Sequence, residues 1–138
     1  MASDLEKQLE QVRTVRNLRV QARLREQQAK DKEVKAAQHE LARAEHAVLE
    51  QERKAITLQR DGLQQLVNDS VTVMDLLKFN KRKVRSIKHI KDAKVTVFER
   101  TREAMLALEQ LKERVKATKE AEKKLMGIDE VIAGKLWK

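Results

Sequence analysis

The side chains that could support catalysis or metal binding are few and widely spaced. His39 and His46 are seven residues apart, about 10 Å along a helix, whereas a shared metal ion favours a spacing of four residues. The third histidine is His89, and the chain has no cysteine, which excludes thiolate sites and disulfides. Nucleophilic catalysis needs a pocket that brings a nucleophile and a base together, which two long helices do not offer; the three serines lie in unrelated contexts: Ser3, Ser70 and Ser86. We therefore expect no enzyme activity, no metal and no cofactor.

Positive charge is concentrated in one stretch, residues 78–94, with the sequence KFNKRKVRSIKHIKDAK. It contains eight basic side chains and one acidic one, in a chain of net charge +9. Such a stretch can bind an acidic protein, be a solvated face balanced by glutamates on a neighbouring helix, or contact nucleic acid phosphates. Nucleic acid is less favoured because aromatics do not alternate with the basic residues. The candidate contacts to an acidic partner are Phe79, Lys81, Arg82, Lys83 and Arg85.

The elements that position these side chains are predicted to be long helices. The 138 residues include no proline, three glycines, two phenylalanines, one tryptophan and no tyrosine. Because aromatics dominate most globular cores, this composition favours narrow aliphatic stripes between helices. Ser3 and Glu6 have the spacing of a capping box, so a first helix is expected to begin at about residue 4.

A polar interruption, Asn68-Asp69-Ser70, lies at the middle of the chain and predicts a turn, since these residues favour turns and helix N-caps. Asp69 or Ser70 is expected to cap a second helix. The predicted fold is all-α: one domain, residues 1–138, in which two long helices form an antiparallel coiled-coil hairpin with its turn near residues 66–72. Helix 1 is expected over about 4–67, the turn over about 68–70 and helix 2 over about 71–134.

Two stripes with alternating spacings of three and four residues predict the seam between the helices. Around a turn at residue 69, the numbers of facing residues should add up to about 138. The helix 1 stripe is Val34, Ala37, Leu41, Ala44, Val48, Gln51, Ala55 and Leu58. The helix 2 stripe is Ile87, Ile90, Lys94, Val97, Thr101, Ala104, Leu108, Leu111, Val115, Thr118, Glu122 and Leu125.

Two apolar clusters exceed what a two-helix seam can bury. One surrounds the turn and either closes the hairpin end or forms an exposed binding tip; it comprises Leu66, Val67, Val71, Val73, Met74, Leu76, Leu77 and Phe79. The other lies near the C-terminus and either packs against Leu5 and Leu9 or binds a partner; it comprises Ile128, Val131, Ile132, Leu136 and Trp137.

A helical chain of about 140 residues with a Ser3 start, an arginine-rich stretch over 13–25, a polar break at 68–70 and an apolar end resembles the YscO/FliJ family. These are coiled-coil stalk proteins of type III secretion and flagellar export. The resemblance implies a non-enzymatic stalk that couples a hexameric secretion ATPase to an export-gate membrane protein and can bind secretion chaperones. It implies a cytoplasmic location at a membrane-embedded apparatus, often in virulence.

Two other functions remain open from the residues alone. The first is a structural or peripheral-stalk adaptor that dimerises through leftover apolar faces. The second is a basic coiled coil that binds nucleic acid or anionic lipid. The sequence has no apolar run of eighteen residues and no apolar signal segment at its start, so we expect no membrane span and no secretory signal.

Overall fold

The computed structural model describes residues 3–68 and 70–136, and almost all of them belong to two long helices. Helix α1 covers Asp4–Asn68 and helix α2 covers Val73–Leu136, and they pack against each other in antiparallel orientation. The all-α hairpin is thus confirmed. Helix α1 begins where the Ser3–Glu6 spacing indicated, because the Ser3 Oγ accepts a hydrogen bond from the Glu6 N–H at 3.2 Å.

Helix α2 begins at Val73, two residues later than expected, because its cap is Thr72. The Asp75 N–H donates to the Thr72 Oγ1, and the Thr72 N–H donates to an Asp75 carboxylate oxygen, both at 3.2 Å. This reciprocal pair gives side-chain partners to two backbone N–H groups at the start of the helix. The expected cap at Ser70 is wrong, and Asp69 lies outside the described residues. None of the described residues has a positive φ, so residues 70–72 of the connection adopt no conformation that requires glycine.

The contacts divide the chain into two units, to which both helices contribute. Unit 1 consists of Met1–Ala36 with Met105–Lys138, and unit 2 of Ala37–Ala104. Unit 1 buries Val20, Val34 and Ile128 together with the Thr118 side chain. The Thr118 hydroxyl donates to the Arg114 carbonyl oxygen at 3.0 Å, so its burial leaves no polar group unsatisfied.

Polar contacts between the helices accompany this apolar seam in unit 1. The Arg13 Nε lies 2.7 Å from the Asp129 carboxylate, and the Arg114 guanidinium lies 3.1 Å from that of Glu26. Arg16 donates to the Lys124 carbonyl oxygen at 2.7 Å. Each contact joins one residue of each helix, so together they define the register of the two helices in this unit.

In unit 2, Ala44 is the most buried apolar side chain, at 8% exposure. Gly62 of α1 lies against the Phe79 ring of α2, so the numbers of facing residues add up to about 141. The expected value of 138 is therefore wrong by about three residues. The reason is the capping pair at Thr72, which moves the start of α2 along the chain.

The predicted stripe of α1 is confirmed, since each of its eight members is buried or half-buried. The stripe of α2 is wrong at four positions: Ile87, Lys94, Leu108 and Glu122 are exposed. The half-buried residue is in each case the one before, namely Ser86, Ala93, Ala107 and Ala121. Helix α2 therefore presents mainly small side chains to α1 at these positions.

Candidate partner-binding surfaces

The basic stretch over residues 78–94 lies on α2 in unit 2. The side chains of Lys81, Arg82, Lys83 and Arg85 are all exposed. Within the described residues, none of these four lies within ion-pair distance of a carboxylate. Of the glutamates on the neighbouring helix, Glu52 lies 3.9 Å from Lys94 at the end of the stretch, whereas Glu50 pairs with Arg53 of its own helix at 3.3 Å. The stretch is thus partly balanced at Lys94, and the charge of the other four side chains is exposed.

The apolar cluster around the turn is exposed rather than closed. Val67 is 82% exposed and Val73 is 73% exposed, and large exposed side chains continue into the first turn of α2 with Met74, Leu76 and Leu77. Contiguous apolar groups on a surface mark interaction sites. Most of the cluster is therefore at the surface and does not close the end of the hairpin, and it adjoins the basic stretch.

Phe79 and Leu66 are half-buried, unlike the other members of that cluster. The Phe79 ring packs on Gly62, where an added Cβ would overlap it and lie 2.6 Å from the ring Cδ2. The absence of a side chain at position 62 makes this contact possible. Phe79 is half-buried, so it contributes to the packing between the helices while part of it stays at the surface.

The C-terminal candidates are split between the interior and the surface of unit 1. Ile128 is buried, Ile132 is half-buried and Val131 is 54% exposed. Among the three members of this set whose side chains the structure describes, Val131 is the most exposed. The Leu136 side chain and Trp137 lie outside the described residues.

Titratable groups show little sign of a chemical site. The three histidines are exposed, and among the described residues no group of three His, Asp or Glu side chains is placed to hold a metal ion. The Asp75 pKa is lowered, chiefly by its hydrogen bonds from the Thr72 backbone and side chain and then by the charge of Lys78. The Arg100 pKa is raised by its hydrogen bond with Glu103 at 2.9 Å. The Asp75 shift thus reflects the cap of α2, and the Arg100 shift reflects an ion pair on the surface.

Sequence reasoning missed two of these features. The Thr72–Asp75 pair has the threonine-x-x-aspartate spacing of a cap, which the neighbouring Asn68-Asp69-Ser70 signal obscured. The Gly62–Phe79 contact has no local signal, because the two residues meet only once the register of the helices is known.

Together these features define a class: an all-α helical hairpin with a basic surface and an apolar tip in unit 2 and an exposed valine near the C-terminal end of α2. Comparison of the chain with known protein families, with curated proteins and with solved structures gives no match. In the part of the chain that the structure describes, neither helix has a stretch apolar and long enough to cross a membrane.

Proposed function

We propose that this chain is a non-enzymatic stalk component of a type III protein secretion apparatus, which couples a hexameric export ATPase to the export gate. The observation that carries the proposal is the distribution of surfaces on the hairpin. The N-terminal end of α1 and the C-terminal end of α2 belong to unit 1, whereas the exposed apolar and basic tip belongs to unit 2. A protein with two separate contact regions on the same pair of helices is suited to connect two partners.

Unit 1 is the part that we assign to the ATPase. Its polar contacts between the helices, such as Arg13–Asp129, keep the two helix ends in a defined register. A fixed register matters for a stalk, because coupling requires that the two helices respond to the ring as one body. Val131 supplies an exposed apolar contact near this end.

Unit 2 is the part that we assign to the export gate. Apolar side chains such as Val73 and Met74 supply contact area, and Lys81 and its basic neighbours attract an acidic surface and raise the association rate. Secretion chaperones are further candidate partners of the same unit. The protein would then work at the cytoplasmic side of a membrane-embedded apparatus without entering the bilayer.

The test is a measurement of ATPase binding and ATP hydrolysis with the purified hexameric export ATPase of the same host. We expect the chain to bind the ring and to change its rate of hydrolysis. Val131→Glu should weaken that binding at least tenfold, because it places a charge in an apolar contact. Met105→Glu is the matched control, since Met105 is also exposed in unit 1 but lies far along α2 from Val131. A chain that neither binds the ATPase nor alters its hydrolysis would exclude the stalk function.

A further inference from the structure

One side of unit 2 carries large apolar side chains that the helix seam does not use. The contact between Glu52 of α1 and Lys94 of α2, 3.9 Å apart, shows where the two helices meet on that side. Leu49 and Ile56 lie three residues before and four after Glu52, so they share its face of α1. Phe98 lies four residues after Lys94 and Ile87 lies seven before it, so they share its face of α2.

We call this side the Ile56 face. Its six apolar side chains are between 47% and 67% exposed, and they are Leu49, Ile56, Leu63, Val84, Ile87 and Phe98. If each exposes roughly 60–120 Å² of apolar surface, the six together offer about 360–720 Å². That is the size at which a contiguous apolar patch indicates an interaction site.

The opposite side of the same unit differs in composition. The residue after Leu49, Ile56 and Leu63 is in each case polar, and the same holds for the residues after Val84 and Phe98. These polar residues are Glu50, Thr57, Gln64, Arg85 and Glu99. Apart from the cluster around the turn, the large exposed apolar side chains that the structure describes in unit 2 are therefore concentrated on one side, with Val95 as the exception.

The spacing on α1 indicates what kind of partner covers the Ile56 face. Leu49, Ile56 and Leu63 recur every seven residues, which keeps them in line along α1 and is the repeat of a coiled-coil seam. A further helix laid along the hairpin would meet these side chains in successive turns. A lipid surface has no such repeat.

The charge at the edge of the face indicates the sign of the partner. Lys91 lies seven residues from both Val84 and Phe98 and so in line with them on α2, while Lys81 and Lys88 run beside that line; all three are exposed. Within the described residues, none of them forms an ion pair. Two copies of the chain, each of net charge +9, would repel each other, whereas an acidic helix would be attracted.

We infer that the Ile56 face binds an amphipathic helix of another protein, with an apolar heptad seam and acidic residues along one flank. This goes beyond the proposed function, since it requires neither the ATPase nor the export gate. The helix would complete a three-helix packing in which the α1–α2 seam and the Ile56 face are both covered.

The test uses a displayed library of helical peptides about four heptads long, selected for binding to the full chain. Selection should enrich peptides with a Leu or Ile seam and glutamates on a flank. For the best peptide, Ile56→Gln with Ile87→Gln should lower affinity about tenfold or more, because both side chains lose apolar contact. The matched control is Thr57→Gln with Thr96→Gln, one neutral exchange per helix away from the face, which should leave affinity within about twofold.

A second pair of variants tests the charge. Lys88→Glu with Lys91→Glu should lower affinity roughly threefold to tenfold at low salt and less at high salt. Lys54→Glu with Lys116→Glu, two exposed positions outside the face and outside the basic stretch, is the control of equal charge. Circular dichroism should show unchanged helicity in all four variants. The inference is overturned if no peptide is enriched, if the enriched peptides are not acidic, or if the Ile56 and Ile87 exchanges leave binding unchanged. It is equally overturned if sedimentation shows a dimer that these exchanges dissociate, or if the chain binds anionic vesicles through this face and no acidic peptide.

Discussion

The Gly62–Phe79 contact makes a prediction in which two effects of similar size oppose each other. Gly62→Ala should stabilise α1 by about 1 kcal/mol, since glycine is a poor helix former. The new methyl group would overlap the Phe79 ring, with 2.6 Å between the Cβ and the ring Cδ2. Forcing an extra methyl into a packed contact costs about 1–3 kcal/mol. We therefore expect Gly62→Ala to lower the free energy of unfolding by about 0–2 kcal/mol.

The sign of the effect should reverse when the ring is removed. In a Phe79→Ala background the overlap is gone, so Gly62→Ala should raise the free energy of unfolding by about 1 kcal/mol. The difference between the two backgrounds is a coupling energy of about 1–3 kcal/mol. Gly127 provides the matched control, because a Cβ added there meets nothing within 4 Å. Gly127→Ala should stabilise the protein by about 1 kcal/mol in either background.

Urea unfolding followed by far-ultraviolet circular dichroism measures all of these changes. The reasoning is refuted if Gly62→Ala stabilises the otherwise unchanged protein as much as Gly127→Ala does. It is also refuted if Phe79→Ala leaves the effect of Gly62→Ala the same. In both cases the ring would not rest on Gly62, and Phe79 would be free to serve as a partner contact alone.

Four other predictions concern the cap, the core and the basic stretch. Thr72→Ala should lower the free energy of unfolding by about 0.5–2 kcal/mol in urea titrations, because it removes the N-cap of α2. Because the Asp75 pKa is lowered in the folded state, its ionised carboxylate stabilises that state at pH values above the ordinary pKa of 3.8. This stabilisation is lost as the pH falls through the lowered, folded-state pKa. Asp75→Asn should therefore lower the Tm at pH 7 and have little effect at the acid end; an equal effect at both would contradict the capping role. Ile128→Ala should cost about 2–5 kcal/mol of unfolding free energy, since this side chain is buried in unit 1, and a near-neutral result would place it outside the core. In the basic stretch, the positions to reverse to glutamate are Lys81, Arg82, Lys83 and Arg85. The reversal should weaken binding to an acidic partner such as the export gate and leave helicity nearly intact, because exposed ion pairs contribute about 0–1 kcal/mol each. Loss of binding to duplex DNA alone would instead favour the nucleic-acid function.

Helix α1 could be predicted almost completely from the sequence. Its start is encoded locally by the Ser3 cap, and its stripe repeats regularly enough to identify the buried face. The end of the helix is encoded by Asn68 and the polar residues after it. These signals are all short-range, which is why they can be read without knowing the partner helix.

The buried face of α2 could not be predicted as well, because the largest apolar side chains are not the ones that face α1. Ile87 and Leu108 are larger than Ser86 and Ala107, so a search for apolar stripes selects the larger side chains. The structure turns the smaller ones toward α1 and leaves Ile87 57% exposed. Which stripe faces α1 depends on the register, and the register depends on the cap at Thr72. The Ile56 face could be recognised only after that choice was known.

The seven-residue repeat of the α1 seam has a consequence for how such a protein changes in evolution. A repeating seam encodes no particular length, because each heptad presents the same kind of surface as the one before it. Seven residues inserted into α1 would lengthen that helix by about 10 Å and would require seven matching residues in α2. A lone insertion in one helix would instead shift every facing pair beyond it. We therefore expect homologues to differ in length by paired heptads, with Thr72 and Asp75 kept at the junction while the helices on either side grow or shrink.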